Sequence, residues 1–241
     1  FPMIINSDER QWTWMDEGLN TFVQYLTEQE WDPNYPSRRG PSQNITDYMK
    51  GDQSNISPIM TNSESIFQFG NNAYGKPATA LNILRETILG RELFDFAFKT
   101  YAERWAYKHP TPADFFRTME DASGVDLDWF WRGWFYANWN LDQAVEKVEY
   151  IEDSPTNGAM ITISNQEKMV MPAELEIKES NGETKRVKLP VEIWQRGDVW
   201  TFQHNSTSEI LSIELDPDKV LPDANAKNNI WQSKAEKDVN D

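Results

Sequence analysis

The stretch WTWMDEGLNTFVQYL, Trp12 to Leu26, sets two adjacent acids, Asp16 and Glu17, at the head of a segment with helical periodicity. Leu19, Phe22, Val23 and Leu26 recur at i, i+3, i+4 and i+7, the pattern of one buried helix face. Glu17, Asn20, Thr21 and Gln24 fall on a separate face, a polar seam that begins with a carboxylate. An acid in a first helical turn is favoured by the helix dipole and usually means no more than that. Metal chemistry would need further donors. The chain has no cysteine and only two histidines, His109 ahead of Pro110 and His204 in the second half. Neither stands at metal-ligand spacing to Glu17, and no HExxH occurs. A lone carboxylate does not hold zinc usefully. Tyr74, at the entry of a second helical pattern, NNAYGKPATALNILRETILG, is by itself an ordinary packing residue.

Taken together, these two segments carry a resemblance. Trp14, Glu17, Gly18, Leu19, Phe22 and Val23 fit a Trp-x-x-Glu-Gly-apolar pattern. It resembles the helix that supplies the third zinc ligand in the gluzincin aminopeptidases, the thermolysin-like family of alanyl aminopeptidases and leukotriene hydrolase. Tyr74, Gly75 and Lys76 resemble that family's Tyr-x-Lys-Gly, with Pro77 in place of the usual glycine. SGVDLDWFWRGWFY is a third and weaker match, so the resemblance spans Phe1 to Tyr136. It implies that Glu17 is a zinc ligand and Tyr74 the donor to the oxyanion of a tetrahedral intermediate. It implies supporting roles for the neighbours. Trp14 would pack beneath the ligand, and Gly18 would let the helix approach its neighbour. Asp16 would be a cap or a nearby acid, and Asn20 and Lys76 would complete the surroundings. The two histidines and the general base of the family's HExxH would fall just ahead of Phe1, since sixteen residues precede Glu17. The motif that recognises the substrate's amine would also lie upstream. The implied whole protein is a zinc aminopeptidase acting on peptides. This chain by itself is expected to be inactive, with no zinc bound.

The elements that must position these residues change character near Asn140. Before it the period is helical: Ala78–Leu89 up to Gly90, Leu93–Tyr107, a helix capped by Thr111 with Pro112 and Asp114 in its first turn, and a last one after Gly124 with Asp126 as cap. Asp32–Phe69 is longer than ordinary connections, so it should hold short helices or a functional loop. After Asn140 the period becomes two. Ile161 and Ile163 alternate with polar residues, as do Ala173, Leu175 and Ile177, then Val187 and Leu189, then Ile213 and Leu215. Asn181-Gly182 is a hairpin signal, and Gln195–Asp198 a second turn between Trp194 and Trp200. The expected architecture is multi-domain, α then β. An all-α helical subdomain over 1–140 would be the C-terminal half of a thermolysin-like catalytic domain. An immunoglobulin-like antiparallel β-sandwich over 141–223 and a fraying polar tail over 224–241 would follow.

Composition bounds the partners. A formal net charge of −16 argues against nucleic-acid backbones and anionic membranes, which need clustered Lys and Arg. No apolar run approaches the ~20 residues of a membrane helix. The chain begins at Phe without a signal peptide and reads as a processed or excised piece. Its compartment stays open: a soluble protein, with periplasmic or cell-surface placement compatible, since targeting sequence would lie outside it. The seam around Glu17 and Tyr74 should be an open face that the missing N-terminal part of the catalytic domain would cover. Self-association there, or disorder of Phe1–Gln11, is expected. Two other classes compete. One is a non-catalytic, aminopeptidase-like scaffold. The other is a carbohydrate-binding β-sandwich suggested by Trp194, Trp200 and Trp231, although aromatic cross-strand pairing is the plainer account of the first two.

Overall fold

The computed structural model describes residues 1–233. Its helices are α1 (Thr13–Trp31), α2 (Gln43–Met49), α3 (Lys76–Ile83), α4 (Arg91–Trp105), α5 (Pro112–Ser123) and α6 (Asp128–Trp131). The apolar stripe of α1 does what its spacing requires, burying Trp14, Met15, Leu19 and Phe22. The expected helix Ala78–Leu89 is α3 bracketed by two π-helical turns, Gly70–Gly75 before it and Leu84–Ile88 after it. A third π-helical turn, Arg132–Tyr136, extends α6. Such turns insert one extra residue into a helix and are frequent at functional sites.

Helix starts follow side-chain chemistry. The Asp114 carboxylate accepts from the Thr111 N–H and hydroxyl, both at 2.8 Å, and so closes the first turn of α5. Asp126, expected as the cap of the last helix, accepts from the Asp128 N–H at 3.0 Å, but the N-cap position of α6 is Leu127. The long connection Asp32–Phe69 contains α2 and a 3₁₀ turn, Gln53–Asn55. Phe1–Gln11, for which disorder was one expectation, is a run of turns held by Tyr107 N–H to Ile4 O at 2.7 Å and Asn6 N–H to Lys108 O at 3.3 Å.

The helices enclose an aromatic core. Trp14 is fully buried, with Phe135 at 4.8 Å and Phe115 at 5.6 Å edge-on and Phe116 stacked at 5.7 Å. Phe116 in turn stacks on Trp131 at 4.6 Å. Each such pair adds about 0.5–1.5 kcal/mol beyond its buried area. α1 is therefore pinned at its N-terminal turn, where Asp16 and Glu17 sit.

Contacts divide the chain into two compact units. Phe1–Trp139 with Val220–Pro222 is the helical unit; Asn140–Lys219 with the described residues from Asp223 on is the β unit. The β unit has seven strands in two antiparallel sheets. β1 (Gln143–Tyr150), β2 (Ala159–Asn165) and β5 (Val199–His204) form one, in the order β1-β2-β5. β3 (Ala173–Glu179), β4 (Thr184–Leu189), β6 (Ile210–Leu215) and β7 (Ile230–Gln232) form the other, in the order β4-β3-β6-β7. Alternation decides which faces meet: Ile161 and Ile163 of the first sheet and Leu175, Ile177, Ile213 and Leu215 of the second share one core. The arrangement is thus an α part followed by a two-sheet β-sandwich. Asn181-Gly182 forms the β3–β4 turn, its Asn181 side chain accepting from Glu183 N–H at 2.8 Å.

Two expectations need correction. Val191–Arg196 is a 3₁₀ turn rather than a strand, so Trp194 and Trp200 do not pair across a hairpin. The chain is changing sheets there, from β4 to β5. Trp194 is buried and donates to Met171 O at 2.8 Å, Trp200 stands opposite Ile163 on β5, and Trp231 packs on the core from β7. Trp194, being buried, forms no exposed platform with the other two. Residues 224–233, within the expected tail, include β7, because Ile230–Gln232 pair with Ser212–Glu214 of β6; residues 234–241 lie outside the described residues. Among the described residues no helix is long and apolar enough to cross a membrane.

Candidate functional site

Glu17 and Tyr74 are brought together. α1 packs against α3 and against the Gly70–Gly75 turn that carries Tyr74. The phenol is pushed up to about 12, first by burial and then by hydrogen bonding with, and the negative charge of, the Glu17 carboxylate. At neutral pH Tyr74 is therefore a protonated donor beside an acid. The Arg39 guanidinium lies over its ring, 4.4 Å from the centroid, and partly offsets the acid's effect. Phe69 flanks the same ring at 6.1 Å.

Gly18 explains how two helical segments come this close. A Cβ there would sit 2.6 Å from Cγ and 2.8 Å from Cβ of Pro77, and 3.1 Å from the carbonyl oxygen of Ala73. The pyrrolidine ring of Pro77 occupies the space that a side chain at residue 18 would need, so the Gly18–Pro77 contact sets the distance between Glu17 and Tyr74.

The other expected residues fall at varied distances from this pair. Asp16 has its carboxyl raised, by burial first and then by Glu17 and Glu9, and it adds to the negative field at Tyr74. Among the described residues it makes no capping hydrogen bond, since α1 has no side-chain cap at all. Asn20 accepts from the nitrogen of Phe1 at 3.4 Å. Trp14 belongs to the aromatic core beneath the first turn. Lys76 is buried, reaches Ala137 O at 3.4 Å, and is pushed down by that burial to about 8. Arg39 was missed in the sequence. Its only signal was an Arg-Arg-Gly in a long loop of an acidic chain, which names no partner.

The donors present do not by themselves fit a zinc ion. Nδ1 of His109 is held by Asn6 O at 2.8 Å, and Nε2 of His204, in the β unit, by Glu179 at 3.0 Å. Among the described residues the one group of three candidate ligands, Glu120, Asp126 and Asp128, excludes Glu17. Two of these acids are already used locally, Glu120 accepting from Leu127 N–H and Asp126 from Asp128 N–H, both at 3.0 Å.

The helical unit thus sets an acid and a phenol close together beside a Gly–Pro contact, and a β-sandwich follows it in the chain. The model of the Peptidase family M1 domain matches residues 5–134. The chain belongs to peptidase family M1. A crystal structure of Legionella pneumophila aminopeptidase A in complex with aspartic acid is similar in fold, with a TM-score of 0.59 at 18% identity. The likeness covers 87% of this chain and 23% of that one, so this chain spans under a quarter of that protein's length. No curated protein matches the sequence.

Proposed function

We propose that this chain is the later part of the catalytic domain, with the following β-sandwich, of a zinc aminopeptidase that removes N-terminal residues from peptides. The observation that carries the reading is the meeting of Glu17 and Tyr74 across the Gly18–Pro77 contact. In this reading Glu17 is one protein ligand of a zinc ion. Two histidines and the general base come from polypeptide outside these residues, as does the group that holds the substrate's amine. When bound, zinc supplies Lewis-acid polarisation of the peptide carbonyl and an activated water. The chain's own contribution is separable from that chemistry. Tyr74, kept protonated well above neutral pH, donates its O–H to the carbonyl oxygen as negative charge develops there. Arg39 holds the ring in place from above. Trp14 and its aromatic neighbours fix the turn of α1 that presents Glu17.

In the longer protein, Tyr74→Phe should leave zinc content unchanged and lower kcat by about 10²–10³-fold, the cost of losing one oxyanion donor. Glu17→Ala should lower zinc content, measured by metal analysis, together with activity. Normal turnover in the Phe variant would remove Tyr74 from the mechanism.

A further inference from the structure

Beyond Glu17 the polar seam of α1 runs into a cavity of about 540 Å³. Thr21 and Glu28 line it from α1, Gly75 from the turn that carries Tyr74, and Arg38 and Arg39 from the connection to α2. The cavity therefore begins one turn from Glu17 and beside Tyr74. Its chemistry is unusual for a chain of net charge −16. Neither arginine forms an ion pair among the described residues, while the one acid in the wall, Glu28, accepts from Ser37 Oγ at 2.6 Å and from Gln24 Nε2 at 2.7 Å. Glu28 is thus occupied in holding the loop to α1 and neutralises neither guanidinium.

The loop that presents the arginines is built to hold them. Gly40 has φ +110°, and a Cβ there would lie 2.5 Å from the ring of Tyr25, so the backbone is pressed flat against α1. The Asn44 side chain donates to Ser37 O at 3.0 Å and to Arg38 O at 3.2 Å. The Arg39 guanidinium lies over the Tyr74 ring, its Cζ 4.4 Å from the centroid. The forked N–H groups of an arginine match a carboxylate in a bidentate pair.

We propose that Arg39, assisted by Arg38, is the specificity-determining group of this cavity and binds a carboxylate of the peptide substrate. The carboxylate is either the side chain of an acidic residue close to the scissile bond or the C-terminus of a short peptide. The inference rests on the peptidase reading above and deepens it by naming the substrate class: peptides that carry a negative charge next to the reacting bond. Because the guanidinium lies over the Tyr74 ring, binding at the cavity and orientation of the oxyanion donor are joined through one contact.

The test uses the peptidase that carries this chain and two matched pairs of peptides. Ala-Glu-Ala amide against Ala-Gln-Ala amide reads a side-chain carboxylate; Ala-Ala against Ala-Ala amide reads a terminal one. The expected result is a preference for the charged member of at least one pair by about tenfold in kcat/KM, expressed mainly in KM. Arg39→Gln should bring that ratio close to one, and Arg39→Lys should keep part of it. Arg39 is exposed, so the variants should melt at the wild-type temperature, which checks folding. Equal rates on both members of both pairs, or a ratio unchanged in Arg39→Gln, would overturn the inference and leave the peptidase reading standing. Failure to cleave any of the four peptides with zinc bound would overturn that reading and the inference with it.

Discussion

Lys76 shows at the level of one residue what the fold demands. Its ammonium is buried, with Ala137 O as its hydrogen-bond partner among the described residues, and burial lowers its pKa from 10.5 to about 8. Removing an ammonium from water without a carboxylate opposes the charged form. The unfolded chain therefore holds the proton more tightly than the folded one. Between about pH 8 and 10.5 the unfolded state binds more protons, so stability should rise with pH across that window. A shift of this size corresponds to about 3 kcal/mol at most. Urea unfolding midpoints at pH 7.5 and 9.5 test it: the midpoint should climb in the native sequence, and the climb should vanish in Lys76→Met. A midpoint that climbs equally in both would show that other groups dominate. Lys76 was visible in the sequence as part of a motif. Its burial was not, since a lysine two residues after a catalytic-type tyrosine reads more naturally as a solvent-facing or substrate-facing charge.

Among the elements, the contact between α1 and the helix entry at Tyr74 is the one on which the site depends. Gly18 and Pro77 were each legible as members of a pattern, and the proline stood out only as a departure from it. Their partnership was not legible, because nothing in either segment says that a missing Cβ in one faces a ring in the other. The π-helical turns were hidden for a related reason: the residue each one inserts leaves composition unchanged and shifts the apolar spacing by one place, which a stretch of five or six residues is too short to reveal. Strand alternation was easier to read, since a period of two needs only one buried face, and Leu175 and Ile177 bury as expected. The close contact makes a quantitative prediction. Gly18→Ala places a methyl 2.6 Å from a rigid ring, and overpacking of this kind costs about 1–3 kcal/mol. In a Pro77→Gly background the same substitution should cost much less, although Pro77→Gly will itself destabilise. A double-mutant cycle by chemical denaturation should give a coupling of at least about 1 kcal/mol. Additive costs would mean that the helices separate freely, and the Glu17–Tyr74 distance would then need another cause.

At the scale of the whole molecule, the proposed reading joins a well-packed scaffold to an incomplete donor set. The aromatic core around Trp14 fixes α1, and α1 with α3 fixes an acid opposite a phenol, so the scaffold does not depend on a metal to form. On the proposed reading the donor set depends on more polypeptide, because His109 is held by Asn6, His204 by Glu179, and neither accompanies Glu17. Folding and metal binding should therefore be separable here, unlike in small zinc domains whose fold is created by the ion. Two measurements follow. Thermal unfolding of the 241-residue chain should be unchanged by a chelator. Equilibrium dialysis against micromolar zinc should retain well under one ion per chain, since one carboxylate is a weak site. When the chain is joined through Phe1 to a segment bearing a HExxH helix, retention should rise to about one ion per molecule, and Glu17→Ala should abolish the gain. Tight zinc binding by the chain alone, or a joined protein indifferent to Glu17, would mean that the carboxylate beside Tyr74 is not a ligand and that the pair has a different use.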